Sequence, residues 1–233
     1  MPTPYTTLIT VEQLQALRAS GAPLKVFDCS FELMKPEAAD RLYEQVHIAG
    51  AVQAHLDRNL SASDPADAVN GGRHPLPRRE VFAEWLRDAG FDSTMQAVVY
   101  DRNGANYCGR LWWMLKWAGH EAVAVLDGGL QAWEAAGGAV ETGRPETPPA
   151  GGFTLLPEKA LLATTNAVMA DLGRPSQTVI DARATPRFRG EVEPLDPVAG
   201  HIPGALNRPF GLNLEPDGRF KSAAVLKAEF ETL

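Results

Sequence analysis

Four aspartates, two cysteines and a pair of arginines are the residues of this chain best placed to do chemistry. Asp28, Asp101, Asp127 and Asp181 each close a short apolar run. A carboxylate there can cap the following turn through backbone N–H groups. Cys108 follows Asp101 by seven residues, near an expected helix start that would favour a thiolate, and Cys29 directly follows Asp28. For both cysteines the preferred reading is a small side chain packing a helix or strand against the core. Arg187 and Arg189 lie in Thr185-Pro-Arg-Phe-Arg-Gly190, just after the run ending in Asp181. That is the carboxyl side of a strand, where α/β sites form. A guanidinium there offers planar, paired donors and a permanent charge to an anion, unless it is already paired with Glu191 or Glu193. His55, His74 and His120 have no metal-ligand spacing to any cysteine or carboxylate, and no metal site is expected. Gly71-Gly72 and Gly128-Gly129 lack the context of a dinucleotide or phosphate loop, so no cofactor is expected.

The elements that must hold these residues follow from the pattern around them. Thr10-Val-Glu-Gln13 reads as a capping box opening a helix that ends near Gly21. Leu24–Asp28, Gln96–Asp101 and Ala122–Asp127 are apolar runs stopped by a polar residue, the pattern of buried parallel strands. Pro77 introduces a helical stripe of Val81, Phe82, Trp85 and Leu86. Leu111, Trp112, Leu115 and Ala118 form a second stripe stopped by Gly119, and a third helix runs near Leu130–Ala136. Strands alternating with helices predict an α/β fold, a parallel sheet covered on both faces.

The pattern then repeats. Residues 137–152 are rich in Gly and Pro and read as a linker. After them Val179-Ile-Asp-Ala-Arg183 echoes Val26-Phe-Asp-Cys-Ser30, and Gly200-His-Ile-Pro-Gly-Ala205 echoes Val46-His-Ile-Ala-Gly-Ala51. Asp181 follows Asp28 by 153 residues and His201 follows His47 by 154, the mark of a duplicated domain. Matched His47 and His201 point to a shared structural hydrogen bond. The second copy is expected to be incomplete: its last helix carries Val225, Leu226, Phe230 and Leu233, and the later strands of the first copy have no counterpart. The domain expectation is therefore 1–136, a linker at 137–152, and a partial second domain at 153–233.

Taken in order, Asp28, His47-Ile-Ala-Gly-Ala51, Val98-Val-Tyr-Asp101, Leu111-Trp-Trp-Met114, Gly119-His120 and Val125-Leu-Asp-Gly-Gly129 with Trp133 resemble the first half of a tandem rhodanese. Asp181-Ala-Arg183, Arg187-Phe-Arg-Gly190 and Gly200–Ala205 resemble the start of its second half. The family is that of the thiosulfate and 3-mercaptopyruvate sulfurtransferases. The resemblance implies two rhodanese-like α/β domains, each a parallel sheet flanked by helices, the second incomplete here. It implies covalent catalysis by a cysteine of the second domain, which takes sulfane sulfur from a small anionic donor as a persulfide and passes it to cyanide or a thiol. Arg187 then matches the arginine that binds the donor's anionic group, with Arg189 assisting. Leu195-Asp196 stands where members preferring 3-mercaptopyruvate often carry a further arginine, which tilts the reading toward thiosulfate. The Cys-x5-Arg loop of related phosphatases fails, because Met114 holds the arginine position.

Two departures matter. Asp101 stands where an active first domain would have its cysteine, and no residue aligns with the nucleophile of the second, which is expected beyond Leu233. The chain alone is accordingly expected to be inactive. The rival reading is a non-catalytic rhodanese-like binding or regulatory module, and a thiol-redox role for Cys108 is a third. Net charge is −7, which argues against nucleic-acid or membrane partners. Two cysteines do not make a disulfide framework, and MPTPYTTLIT has neither a basic nor an apolar leader region, so a cytoplasmic setting is expected. The sequence leaves the oligomeric state open.

Overall fold

The computed structural model describes residues 3–233, which form two compact units, one ending at Leu162 and the other spanning Ala163–Leu233. In the first unit the chain runs β1 (Leu8–Ile9), α1 (Val11–Ala19), β2 (Leu24–Asp28), α2 (Ala38–Gln45), β3 (His47–Ile48), β4 (Val52–Gln53), α3 (Arg79–Asp88), β5 (Gln96–Tyr100), α4 (Cys108–Trp117), β6 (Val123–Leu126), α5 (Gly129–Ala135) and β7 (Val140–Glu141). The Thr10 hydroxyl accepts from the Gln13 amide at 3.2 Å while Gln13 Oε1 accepts from the Thr10 amide at 2.9 Å, the expected reciprocal cap. The five-stranded sheet has the order β1-β6-β5-β2-β4, and all of its pairings are parallel. Every residue of β5 is buried, as its unbroken apolar run requires of a central strand. Around it Phe27, Phe82, Leu111 and Trp133 are fully buried. Each such side chain contributes about 1.5–3 kcal/mol of hydrophobic stabilisation.

The Gly/Pro stretch expected as a linker is tied to the first unit. β7 pairs antiparallel with β3, the Gly143 amide donates to Glu44 O at 2.7 Å, and the Gly151 amide donates to Arg87 O at 2.8 Å. Further on, Phe153 is buried against Phe91, and the amides of Leu156 and Lys159 donate to Ala118 and Lys116 carbonyls. The first unit therefore extends to Leu162, past the expected domain end at 136 and second-domain start at 153. The cause is close approach: a Cβ on Gly151 would sit 2.1 Å from the Phe91 carbonyl oxygen, so glycine lets the strap lie flat on the domain.

The second unit contains α6 (Thr165–Ala170), β8 (Ile180–Asp181), α7 (Thr185–Phe188), β9 (Leu206–Asn207) and α8 (Ala223–Phe230). It repeats the hydrogen-bonding of the first. β8 pairs with β9 at Ile180↔Leu206 and Asp181↔Asn207, as β2 pairs with β4 at Phe27↔Val52 and Asp28↔Gln53. The Ala54 amide donates to Asp28 O at 2.8 Å and the Arg208 amide to Asp181 O at 3.0 Å. His47 stacks on Tyr43 at 3.9 Å with Nδ1 2.8 Å from the Tyr43 carbonyl. His201 stacks on Phe188 at 3.7 Å with Nδ1 2.6 Å from the Phe188 carbonyl, so the matched histidines do share a structural clip. In the second unit, however, no described strand lies where β5 flanks β2. Ile180 and Ile202 are 42% and 46% exposed where their counterparts Phe27 and Ile48 are fully buried.

Gly151→Ala is expected to lower unfolding free energy by about 1–3 kcal/mol, because the strap must lift from Phe91. Urea unfolding with a midpoint equal to wild type would show that the strap does not anchor the domain.

Candidate functional site

At the carboxyl end of β5 the chain turns through a tight loop into α4, and the loop closes on one side chain. Asp101 is 1% exposed, and its carboxylate accepts four backbone hydrogen bonds. Asn103 and Ala105 donate to Oδ1 at 2.8 and 2.9 Å, and Tyr107 and Cys108 donate to Oδ2 at 2.8 and 2.9 Å. Gly104 and Ala105 have positive φ, which curls successive N–H groups inward. The amides of Tyr107 and Cys108 belong to the first turn of α4, whose positive end also favours an anion. The arrangement is a cradle for negative charge at a strand-to-helix turn, and the protein's own carboxylate fills it.

The cysteines border this carboxylate. Burial pushes the Cys108 thiol up, and the Asp101 charge, which also accepts a hydrogen bond from that thiol, pushes it further. Cys29 is raised by the same causes in the same order, burial and then Asp101. Both are buried, free and held as thiols, the opposite of an activated nucleophile. Beside them Asp28 accepts from the Ser30 amide at 2.7 Å and from the Tyr100 hydroxyl at 2.8 Å, with Arg102 at 3.5 Å. That carboxylate caps the turn, as its strand-end position suggests.

In the second unit Arg183, Arg187 and their acids make a dense ion network. Arg183 folds back on Asp181 through Nη2 at 2.6 Å and donates to Gly200 O at 2.7 Å. Arg187 donates from Nη2 to Glu193 Oε1 at 2.8 Å and from Nε to Oε2 at 3.2 Å, and reaches Asp196 at 3.1 Å. Glu193 is nearly buried and also accepts from the Leu195 and Asp196 amides. Arg189 instead points to solvent, 65% exposed, with Glu191 at 3.8 Å. The structure thus seats Arg187 in a carboxylate socket and leaves Arg189 outside it.

Sequence spacing missed one acid–base pair. His74 Nε2 lies 3.1 Å from Asp57 Oδ1 in the long loop after β4, and Phe31 packs edge-on against His55, His74 and Tyr107. A carboxylate-oriented, partly exposed imidazole can accept or relay a proton. Sixteen residues separate Asp57 from His74 within a loop, so no periodicity announced the pair. Among the described residues no cluster of three or more His, Cys, Asp or Glu could hold a metal ion, and no helix is long and apolar enough to cross a membrane.

Residues 10–136 match the model of the rhodanese-like domain. A probable 3-mercaptopyruvate sulfurtransferase of Pseudomonas aeruginosa is 45% identical over 227 residues, which is 97% of this chain and 78% of that protein. A putative thiosulfate sulfurtransferase of Mycobacterium tuberculosis is 39% identical over 222 residues, covering 95% of this chain and 76% of the relative. Among solved structures, the 3-mercaptopyruvate sulfurtransferase from Leishmania major superposes with a TM-score of 0.80 at 29% identity, covering 99% of this chain. This chain spans less than two thirds of that structure, 63%.

Asp101→Asn is expected to cost about 2–4 kcal/mol in chemical unfolding, because an amide NH2 faces N–H donors and leaves them unpaired. A loss below about 0.5 kcal/mol would mean that the cradle does not organise the loop. Burial also holds His55, His74 and His120 below their ordinary titration range. Their neutral forms are the folded forms, so this stability is complete above about pH 6.5 and declines as pH falls and they must charge. His120→Gln should flatten the fall in melting temperature between pH 7.5 and 5.5, and equal slopes for variant and wild type would exclude His120 as a contributor.

Proposed function

The chain belongs to the rhodanese-like domain family, and from that premise we propose that it is the scaffold of a sulfurtransferase acting on thiosulfate or 3-mercaptopyruvate. In the proposed reaction a cysteine thiolate attacks the donor's outer sulfur. The new S–S bond forms as the donor's S–S or C–S bond breaks, and sulfite leaves, or pyruvate after protonation. Cyanide or a thiol then attacks the persulfide's outer sulfur and the thiolate is regenerated. The observation that carries the reading is the Asp101 cradle. It supports the idea that this strand–loop–helix unit holds an anion by backbone N–H groups, as a thiolate or persulfide in the corresponding loop of the second copy would need.

In this reading the nucleophile lies beyond Leu233 and the 233 residues alone do not turn over. Support comes from the burial and raised pKa of Cys29 and Cys108, and from the exposed Ile180 and Ile202, which further strands would cover. Arg187 binds the anionic donor by exchanging Glu193 for it, and Arg189 contributes long-range attraction. Free thiols in both cysteines suit a reducing cytoplasm. The same burial of every cysteine also favours the second reading, a non-catalytic rhodanese-like binding or regulatory module.

Thiocyanate formation from thiosulfate and cyanide separates them. The enzyme reading expects no turnover by the 233-residue chain, turnover by a longer product carrying a downstream cysteine, and indifference to Cys108→Ser. Arg187→Ala in that longer product should raise KM for thiosulfate by about tenfold, the equivalent of about 1.4 kcal/mol of lost charge-assisted bonding. An inactive longer product would favour the module. Turnover by the short chain that Cys108→Ser abolishes would remove the proposal.

A further inference from the structure

A second feature lies on the first unit, with none of the residues of the Asp101 cradle in its lining. Beside the edge strand β4, the strap and α3 line an open cleft of about 430 Å³. Its walls include Val52 from β4, Trp85 and Ala89 from α3, and Pro145 and Pro148 from the strap. Lys25, projecting from β2, lines the same cleft.

Lys25 is unlike the other basic residues nearby. Arg144, also in the lining, is committed to Glu44 at 2.5 Å and Asp40 at 3.4 Å. Among the described residues no carboxylate lies within ion-pair distance of the Lys25 ammonium. Burial alone lowers its pKa, with no opposing acid contribution. Asp88 and Glu146 also line the cleft, and neither registers as an influence on that amine. A half-buried cation normally acquires a counter-charge, since desolvation disfavours the charged form. The same lining holds an indole and two prolines, flat apolar surface with room for a ring.

We propose that this cleft binds a small carboxylate with a flat apolar body, its carboxylate on Lys25 and its ring against Trp85 and the strap prolines. The site is distinct from the sulfur chemistry and does not depend on it. Because the strap forms one wall, occupancy also fastens residues 144–148 to α3.

Benzoate is the probe, titrated into the 233-residue protein by isothermal calorimetry, with acetate and benzyl alcohol as controls for charge without ring and ring without charge. Saturable benzoate binding is expected, at least about tenfold tighter than either control. Lys25→Met should weaken it about tenfold or more, Lys25→Arg should retain it, and Trp85→Leu should weaken it while acetate is unaffected. Unchanged far-ultraviolet circular dichroism and melting certify that each variant folds. Benzoate binding that survives Lys25→Met, or no saturation below about 10 mM in the wild type, overturns the site. Should Lys25→Met fail to fold, loss of benzoate binding in a folded Lys25→Arg also overturns it.

Discussion

A buried carboxylate must have its charge answered, and at Asp101 that requirement organises the first unit. Four backbone donors converge on it, two from the loop and two from the first turn of α4. Its backbone carbonyl in turn accepts from the Leu130 amide at the start of α5 at 3.3 Å. One residue at the end of the central strand therefore fixes the entry of the next helix and touches the start of the last. The two thiols beside it are pushed toward the protonated form by burial first and then by the negative charge they face. Filling the cradle with a fixed carboxylate stabilises the loop and forecloses thiolate chemistry there.

The same economy governs the second unit, with a different solution. Asp181 holds Arg183, and Arg183 reaches Gly200, so the strand end is pinned to the loop that leads into β9. Farther along, Glu193 is saturated by Arg187 and two backbone amides. That socket holds the Arg187 guanidinium in one place. The histidine clips, His47 on Tyr43 and His201 on Phe188, each hold the imidazole through one stacked ring and one carbonyl, across four residues in the first copy and thirteen in the second.

The strap adds a tertiary constraint. From Gly138 to Leu162 the chain crosses β3, α3 and α4, buries Phe153 and shields the outer side of β4. Its glycines and prolines serve close approach and extended backbone, not freedom of motion. This is why composition alone read it as a linker: the same residues suit both roles, and only their neighbours distinguish them.

By itself the sequence determined the periodic elements: the capped α1, the apolar β2, β5 and β6, the helical stripes of α3 and α4, and the 153-residue echo that made a duplication visible. These are local or repeated signals, set by pleat, helical pitch and caps, and they survive without knowledge of distant contacts. The two-residue strands β1, β3, β4 and β7, and the helix α2, carried too little local pattern to be read, since their pairing partners supply the order. Arg187 was legible as a charged residue at a strand's carboxyl side, while its engagement by Glu193 and Asp196 depended on a loop fold. The meeting of Asp57 with His74, the four N–H groups around Asp101 and the uncompensated Lys25 were decided by tertiary structure alone. Burial and the convergence of donors from separate segments are properties of the packed chain, and no run of residues records them.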